Sequence, residues 1–254
     1  MTTLTYTEHG QKDASSAIVF LGSIASTTEM WAPQFEAFAD THRIIAINHR
    51  GHGGSDVADV EPGATTMAEL ADDVLNTLDS VGVDQFTVVG LSLGGAIAQY
   101  LAATSPRVTK AVFCCTAAYF GGPDKWVPRA ELTRAEGLAP MVDGVVGLWF
   151  TSKFGDNNSD VVGAAREMIL STQGEGYAQC SDALAQWDFK DSLPQITCPV
   201  LTIAGDDDLS TPPATVAQIG EGVAGSSTSV VVPGAHVPTL ESPEEFTKAL
   251  RAFI

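Results

Sequence analysis

Apolar positions along this chain follow two alternating rhythms. Short runs of consecutive apolar, largely β-branched residues recur at Leu4 to Thr7, Ala17 to Leu21, Arg43 to Ile47, Phe86 to Val89, Lys110 to Cys115, Pro199 to Ala204 and Thr228 to Val232. Each reads as a strand. Between several of them the spacing becomes helical, at Trp31 to Ala39, Met67 to Val81 and Leu93 to Ala103, with Glu244 to Phe253 closing the pattern. Met67, Leu70, Ala71, Val74, Leu75, Leu78 and Val81 keep the i, i+3, i+4 spacing of an amphipathic helix. Strands alternating with helices imply right-handed crossovers, so the expected fold class is α/β, a mostly parallel central sheet flanked by helices.

The alternation breaks between Tyr119 and about Lys190. This stretch opens with Gly121-Gly122-Pro123, reads as helical and carries Trp126, Trp149 and Trp187. A helical block inserted between two strands of a sheet is expected to cover the loops at the strand ends, with aromatic side chains lining a pocket. Three segments follow: a first part of the core over 1–118, a helical cap inserted late over 119–190, and the second part of the core over 191–254.

Charge narrows the partners. The 254 residues carry 31 acids and 13 bases, a net charge of −18, which opposes nucleic acid and anionic membrane surfaces alike. No apolar run approaches the roughly 20 residues of a membrane span, and the polar start Thr2-Thr3-Leu4-Thr5 lacks the pattern of a signal peptide. The expectation is a cytoplasmic protein acting on a small molecule. Cys114, Cys115, Cys180 and Cys198 show no metal-ligand spacing and read as reduced thiols.

Candidate chemistry begins at Gly90-Leu-Ser-Leu-Gly94. A strand runs straight into this Gly-x-Ser-x-Gly and a helix runs out of it, which puts Ser92 on a sharp turn that only small neighbours permit. A serine hydroxyl needs a base, and the base needs a carboxylate to orient it. The strand pattern ending at Ala204 leads into Gly205-Asp206-Asp207-Asp208, and the one ending at Val232 leads into Pro233-Gly234-Ala235-His236. The chain order is thus serine, acid, histidine, with the acid one of three aspartates. His49-Arg-Gly-His-Gly-Gly-Ser55 is a glycine-rich turn. Its two histidines lack a Cys, Asp or Glu that would complete a metal site, so the turn reads as structural and no metal is expected.

Taken together, Thr28-Glu-Met-Trp31-Ala-Pro-Gln34, His49 to Ser55, Gly90 to Gly95, Thr116-Ala-Ala, Trp149-Phe-Thr151, Ile203-Ala-Gly205 and Thr211-Pro-Pro213 resemble the 3-oxoadipate enol-lactonases of the α/β-hydrolase superfamily. The resemblance covers the whole chain. It implies the α/β-hydrolase fold and a cofactor-free triad of Ser92, Asp208 and His236. Asp208 is chosen because Gly-x-x-Asp followed by Thr-Pro-Pro is like the superfamily's acid loop. It also implies an oxyanion hole built from the Leu93 and Ile24 amides, with Ser23 as the neighbouring alternative to Ile24.

The implied substrate is a small anionic lactone or ester, opened through an acyl-enzyme in aromatic catabolism. Such a carboxylate needs a local cation on so acidic a protein. Lys125 to Arg134 holds three bases and a single acid, Glu131, so Arg129 and Arg134 become candidates for the carboxylate and Trp126 for a pocket wall. The chain departs from the lactonase pattern at Leu148, where many relatives have an arginine, and at Cys180-Ser181, where they have two cysteines. Other activities open to the same triad are a general carboxylesterase, a haloperoxidase-like perhydrolase and a carbon–carbon bond hydrolase. A ligand-binding module is the reading outside catalysis.

Overall fold

The computed structural model describes residues 2–12, 14 and 17–254. Among them, seven strands form one sheet: β1 Tyr6–Gly10, β2 Ala17–Leu21, β3 Arg43–Ile47, β4 Phe86–Leu91, β5 Val108–Cys114, β6 Val200–Gly205 and β7 Ser227–Val232, in the order β1-β3-β2-β4-β5-β6-β7. Only β1 runs antiparallel to its neighbour, pairing Tyr6 with Ile47 and Gly10 with Arg43. Every residue of β2, β4 and β6 is buried, which is why these read as unbroken apolar runs.

The first strand departs from the sequence expectation. It starts at Tyr6, and Leu4 lies outside it although its side chain is buried. The edge position explains the shift, because a strand wet along one side tolerates the polar Thr7-Glu8-His9. Glu8 is fixed there by Arg43 at 2.8 Å on β3.

Helices α1 Ala32–Phe38, α2 Met67–Ser80, α3 Leu93–Thr104, α9 Pro213–Gly222, α10 Pro238–Glu241 and α11 Pro243–Phe253 belong to the sheet region. The α2 helix packs on α3, and α1 packs on α11, where Trp31 and Phe246 meet with ring centroids 6.0 Å apart. A reciprocal cap opens α2: Thr66 Oγ1 accepts from the Glu69 amide while Glu69 accepts from the Thr66 amide.

Between β5 and β6 lie α4 Pro123–Glu136, α5 Val142–Trp149, α6 Ser152–Asn157, α7 Ser159–Leu170 and α8 Gly174–Ala185. The two ends of this insertion sit side by side. Tyr119 bridges Asp188, and the Phe189 amide donates to the Ala118 carbonyl at 2.8 Å. Inside it α4 packs along α8, and Arg134 ties the pair by reaching Glu175 at 2.9 Å and Asp182 at 2.5 Å.

The feature that positions the site is the approach of α3 to the end of β2. The Gly94 amide donates to the Gly22 carbonyl at 3.0 Å, and a Cβ on Gly94 would lie 2.2 Å from the Leu21 carbonyl oxygen. No flexible side chain is there to yield. Gly94→Ala therefore must push α3 off the strand, and urea denaturation should show a loss of about 1–3 kcal/mol, the scale of core overpacking.

Candidate active site

Ser92 follows β4 directly and caps α3 with φ 58° and ψ −114°, a left-handed backbone that a residue bearing a Cβ rarely adopts. Three contacts hold it there. Its amide donates to the Cys114 carbonyl at 3.0 Å, and its carbonyl accepts from Thr116 Oγ1 at 2.7 Å and from the Ala96 amide at 3.1 Å. The turn is tight enough that a Cβ on Gly90 would fall 2.1 Å from the Gly94 carbonyl oxygen. The strain is consistent with a side chain held for a purpose.

Asp208 and His236 lie at the ends of β6 and β7, as their sequence order suggested. Asp208 Oδ1 accepts from the Ser210 and Thr211 amides at 2.8 and 3.1 Å, while Oδ2 accepts from Thr211 Oγ1 at 2.7 Å and from His236 Nδ1 at 2.9 Å. Burial alone would push this carboxyl up. The facing imidazole and the donors of Thr211 outweigh that and hold it below the usual carboxylate range. An ionised carboxylate only accepts, so the imidazole proton sits on Nδ1 and the Nε2 lone pair is left for the cavity. Asp206 and Asp207 are exposed, and Asp206 accepts from the Gly234 amide at 2.8 Å, fastening the acid loop to the histidine loop.

A partly enclosed cavity opens where these loops meet the insertion. Ser92 and His236 line its floor together with Ser23 and Ile24, and α4, α5 and α8 supply Trp126, Arg129, Leu148 and Tyr177. Trp126 is buried, its indole N–H donating to the Phe120 carbonyl at 3.0 Å. The Arg129 guanidinium lies 5.0 Å from the Trp126 ring centre, and the Lys125 ammonium lies 5.5 Å from it.

The two candidate arginines part company. Arg129 faces the cavity, whereas Arg134 is committed to Glu175 and Asp182 and is absent from the cavity wall. Leu148 is on that wall and adds no charge.

Further hydrogen bonds between distant segments shape the site. Glu241 in α10 accepts from the Ala235 amide at 2.9 Å and also from the amide of Thr151, and the Val237 amide donates to the Trp149 carbonyl at 3.1 Å. The histidine loop is thus bound to the end of α5. His49 Nε2 donates to the Gly22 carbonyl at 2.8 Å. His52 donates through Nδ1 to the Arg50 carbonyl at 2.7 Å and accepts at Nε2 from the Ala25 amide at 2.9 Å. Burial pushes His49 down to about 4 and His52 down to about 3, so both are neutral at pH 7.

A family model described as the alpha/beta hydrolase fold matches residues 16–243. The chain belongs to the α/β-hydrolase fold family. It is 33% identical over 250 residues to 3-oxoadipate enol-lactonase 2 of Acinetobacter baylyi, covering 98% of this chain and 92% of that one. It superposes with a TM-score of 0.93 on the crystal structure of the enol-lactonase from Burkholderia xenovorans LB400, at 32% identity and coverage of 99% and 96%. A thermophilic esterase from Thermogutta terrifontis, described as malate bound, superposes with a TM-score of 0.90 at 29% identity and coverage of 98% and 92%. At that level the chain is a hydrolase. No helix among the described residues is long and apolar enough to cross a membrane.

The two buried imidazoles give a stability test. Each is neutral in the fold and takes up a proton near pH 6.5 once unfolded, so their stabilisation is complete above that pH and is lost as pH falls toward about 4 and 3. Urea unfolding between pH 6.5 and 4 should show stability falling by about 1.4 kcal/mol per pH unit for each histidine. The double substitution His49→Gln/His52→Gln should flatten that slope. An unchanged slope in the double variant would place the proton uptake elsewhere.

Proposed function

We propose that the chain is a serine hydrolase opening a small carboxylated enol-lactone, 3-oxoadipate enol-lactone to 3-oxoadipate, through an acyl-enzyme. The observation that carries this reading is one cavity holding Ser92, an Asp208-oriented His236 and the guanidinium of Arg129. In it, residues 119–190 act as the cap that closes the pocket, and no cofactor takes part. Four free cysteines fit a reducing compartment, so we place the reaction in the cytoplasm.

Ser92 Oγ attacks the lactone carbonyl while His236 Nε2 takes its proton, and Asp208 stabilises the resulting imidazolium. The oxyanion forms between the Leu93 and Ile24 amides. Leu93 stands in the first turn of α3, where amides have no intrahelical acceptor. In the other loop the Ser23 amide is directed at the Met30 sulfur at 3.4 Å and the Ala25 amide at His52, and Ile24 between them has no protein acceptor among the described residues. That favours Ile24 over Ser23. Collapse of the tetrahedral species expels an enolate, a better leaving group than an alkoxide, which takes the proton held on His236 and becomes the ketone, leaving the imidazole neutral again. Water activated by His236 then releases the acid.

Arg129 is the residue to which we give the substrate carboxylate. Its planar fork matches a carboxylate, the adjoining Lys125 raises the local positive potential, and the buried Tyr177 phenol lies beside it. Arg134, held by two acids, is given a structural role. The likeness to an esterase keeps a general carboxylesterase as the second reading. The two differ in whether activity depends on substrate charge.

Ser92→Ala should abolish hydrolysis of both the lactone and a chromogenic ester by on the order of 10⁴-fold or more while circular dichroism stays native. Asp208→Asn should lower kcat by about 10³- to 10⁴-fold. Turnover retained in a folded Ser92→Ala protein would remove the nucleophile from this account.

Arg129→Ala should lower kcat/KM for the carboxylated lactone by about 1.5–3 kcal/mol and scarcely alter a neutral ester, because only the charge-assisted contact is lost. Steady-state kinetics on both substrates decide it. Equal losses on the two would favour the esterase.

A further inference from the structure

The loop Gly22–Ser26 joins β2 to the rest of the chain and carries Ile24 over the floor of the cavity. Its shape is not one the backbone adopts unaided, since Ala25 has φ 67° without being glycine. Something must hold it. The glycine-rich turn after β3 supplies a clamp at each end: His49 Nε2 donates to the Gly22 carbonyl, and His52 Nε2 accepts from the Ala25 amide. The two rings stand edge to face with centroids 5.8 Å apart and are buried.

Direction matters as much as distance. His52 Nδ1 donates to the Arg50 carbonyl, which fixes the tautomer and leaves Nε2 as an acceptor. The Ala25 amide is therefore turned away from the cavity. Its neighbour Ile24 is left with its own amide free. The Gly22 carbonyl accepts from His49 and also from Gly94 in the first turn of α3, so one oxygen joins the two segments that carry the free amides.

We propose that His52 is a positioning residue for the reaction: by accepting the Ala25 N–H it holds Ala25 in the left-handed conformation and thereby aims the Ile24 amide at the developing oxyanion. This rests on the proposed Ser92 chemistry and names a residue that touches neither substrate nor nucleophile. His49 anchors the opposite end of the same loop. The clamp acts on charge that exists only in the tetrahedral species, so it bears on kcat and leaves ground-state binding alone.

Two variants separate the brace from mere packing. His52→Leu fills the space without an acceptor, and His52→Gln returns an acceptor oxygen near the Nε2 position. On a chromogenic ester, His52→Leu should lower kcat by about 10- to 100-fold with KM within about twofold, somewhat less than deletion of an oxyanion donor. An arylboronic acid, which adds to a serine hydroxyl to give a tetrahedral anion, should weaken by the same factor, and His52→Gln should recover most of both losses. A folded His52→Leu protein with native kcat, or equal losses in kcat for the leucine and glutamine variants, would overturn the brace.

If His52→Leu fails to fold, the wild-type protein decides. Nitrogen-15 NMR should show a scalar coupling across the hydrogen bond from the Ala25 amide to His52 Nε2, and absence of that coupling with rapid exchange of the Ala25 amide would refute the proposal. Ser92→Ala serves as the control for the underlying reading. If that variant is inactive while folded His52→Leu is unimpaired, only the brace fails. Activity surviving in Ser92→Ala would remove the oxyanion assignment as well.

Discussion

Everything in the site depends on how closely the first turn of α3 approaches the end of β2. The Gly94 amide meets the Gly22 carbonyl at 3.0 Å, with no room for a side chain between them. That contact brings the open amides of a helix start beside a loop from a different strand. Beside it Ser92 takes a positive φ at the end of the central strand β4 and lines the cavity. The glycines at 90 and 94 are therefore a steric condition of the site, and the strain at Ser92 is tolerated because the flanking strands over-determine it.

Around that contact the protein uses neutral, directional hydrogen bonds in preference to charge. The overall charge of −18 would repel an anionic substrate at long range. Within the cavity the balance reverses locally through Arg129 and Lys125. The acidic groups nearby are committed elsewhere: Asp208 to His236 and Thr211, Asp206 to Gly234, Glu241 to Ala235 and Thr151. Glu175 and Asp182 are committed to Arg134. Asp208, Asp206 and Glu241 hold loops in place, while Glu175 and Asp182 join α8 to α4 through Arg134.

Much of this was legible in the sequence because it is written in short-range patterns. Fully buried central strands need consecutive apolar residues, and the turn at Ser92 needs small neighbours within four positions. Serine, aspartate and histidine follow three strand patterns, β4, β6 and β7, in the order that the resemblance implies. What was not legible depends on contacts between distant segments. Arg129 and Arg134 are equivalent on paper, and only the packing of α4 on α8 gives one to the cavity and the other to Glu175 and Asp182. His52 reaches Ala25 across 27 residues, with no spacing rule that connects them. Leu4 misled because an edge strand can be polar, and pairing with β3 selects Tyr6–Gly10 instead.

The insertion leaves and rejoins the sheet at neighbouring points, with Ala118 bonded to Phe189 and Tyr119 to Asp188. Closing such short ends has little entropic cost, so a segment of different length or composition could be exchanged there without disturbing the strand order. Substrate preference can then diverge while the chemistry stays fixed. One constraint survives any such exchange. The histidine loop takes a carbonyl from Trp149 and, through Glu241, binds Thr151. A replacement segment must still offer a carbonyl to the Val237 amide and donors to Glu241, as Trp149 and Thr151 do here, so the freedom of the insertion stops at that seam.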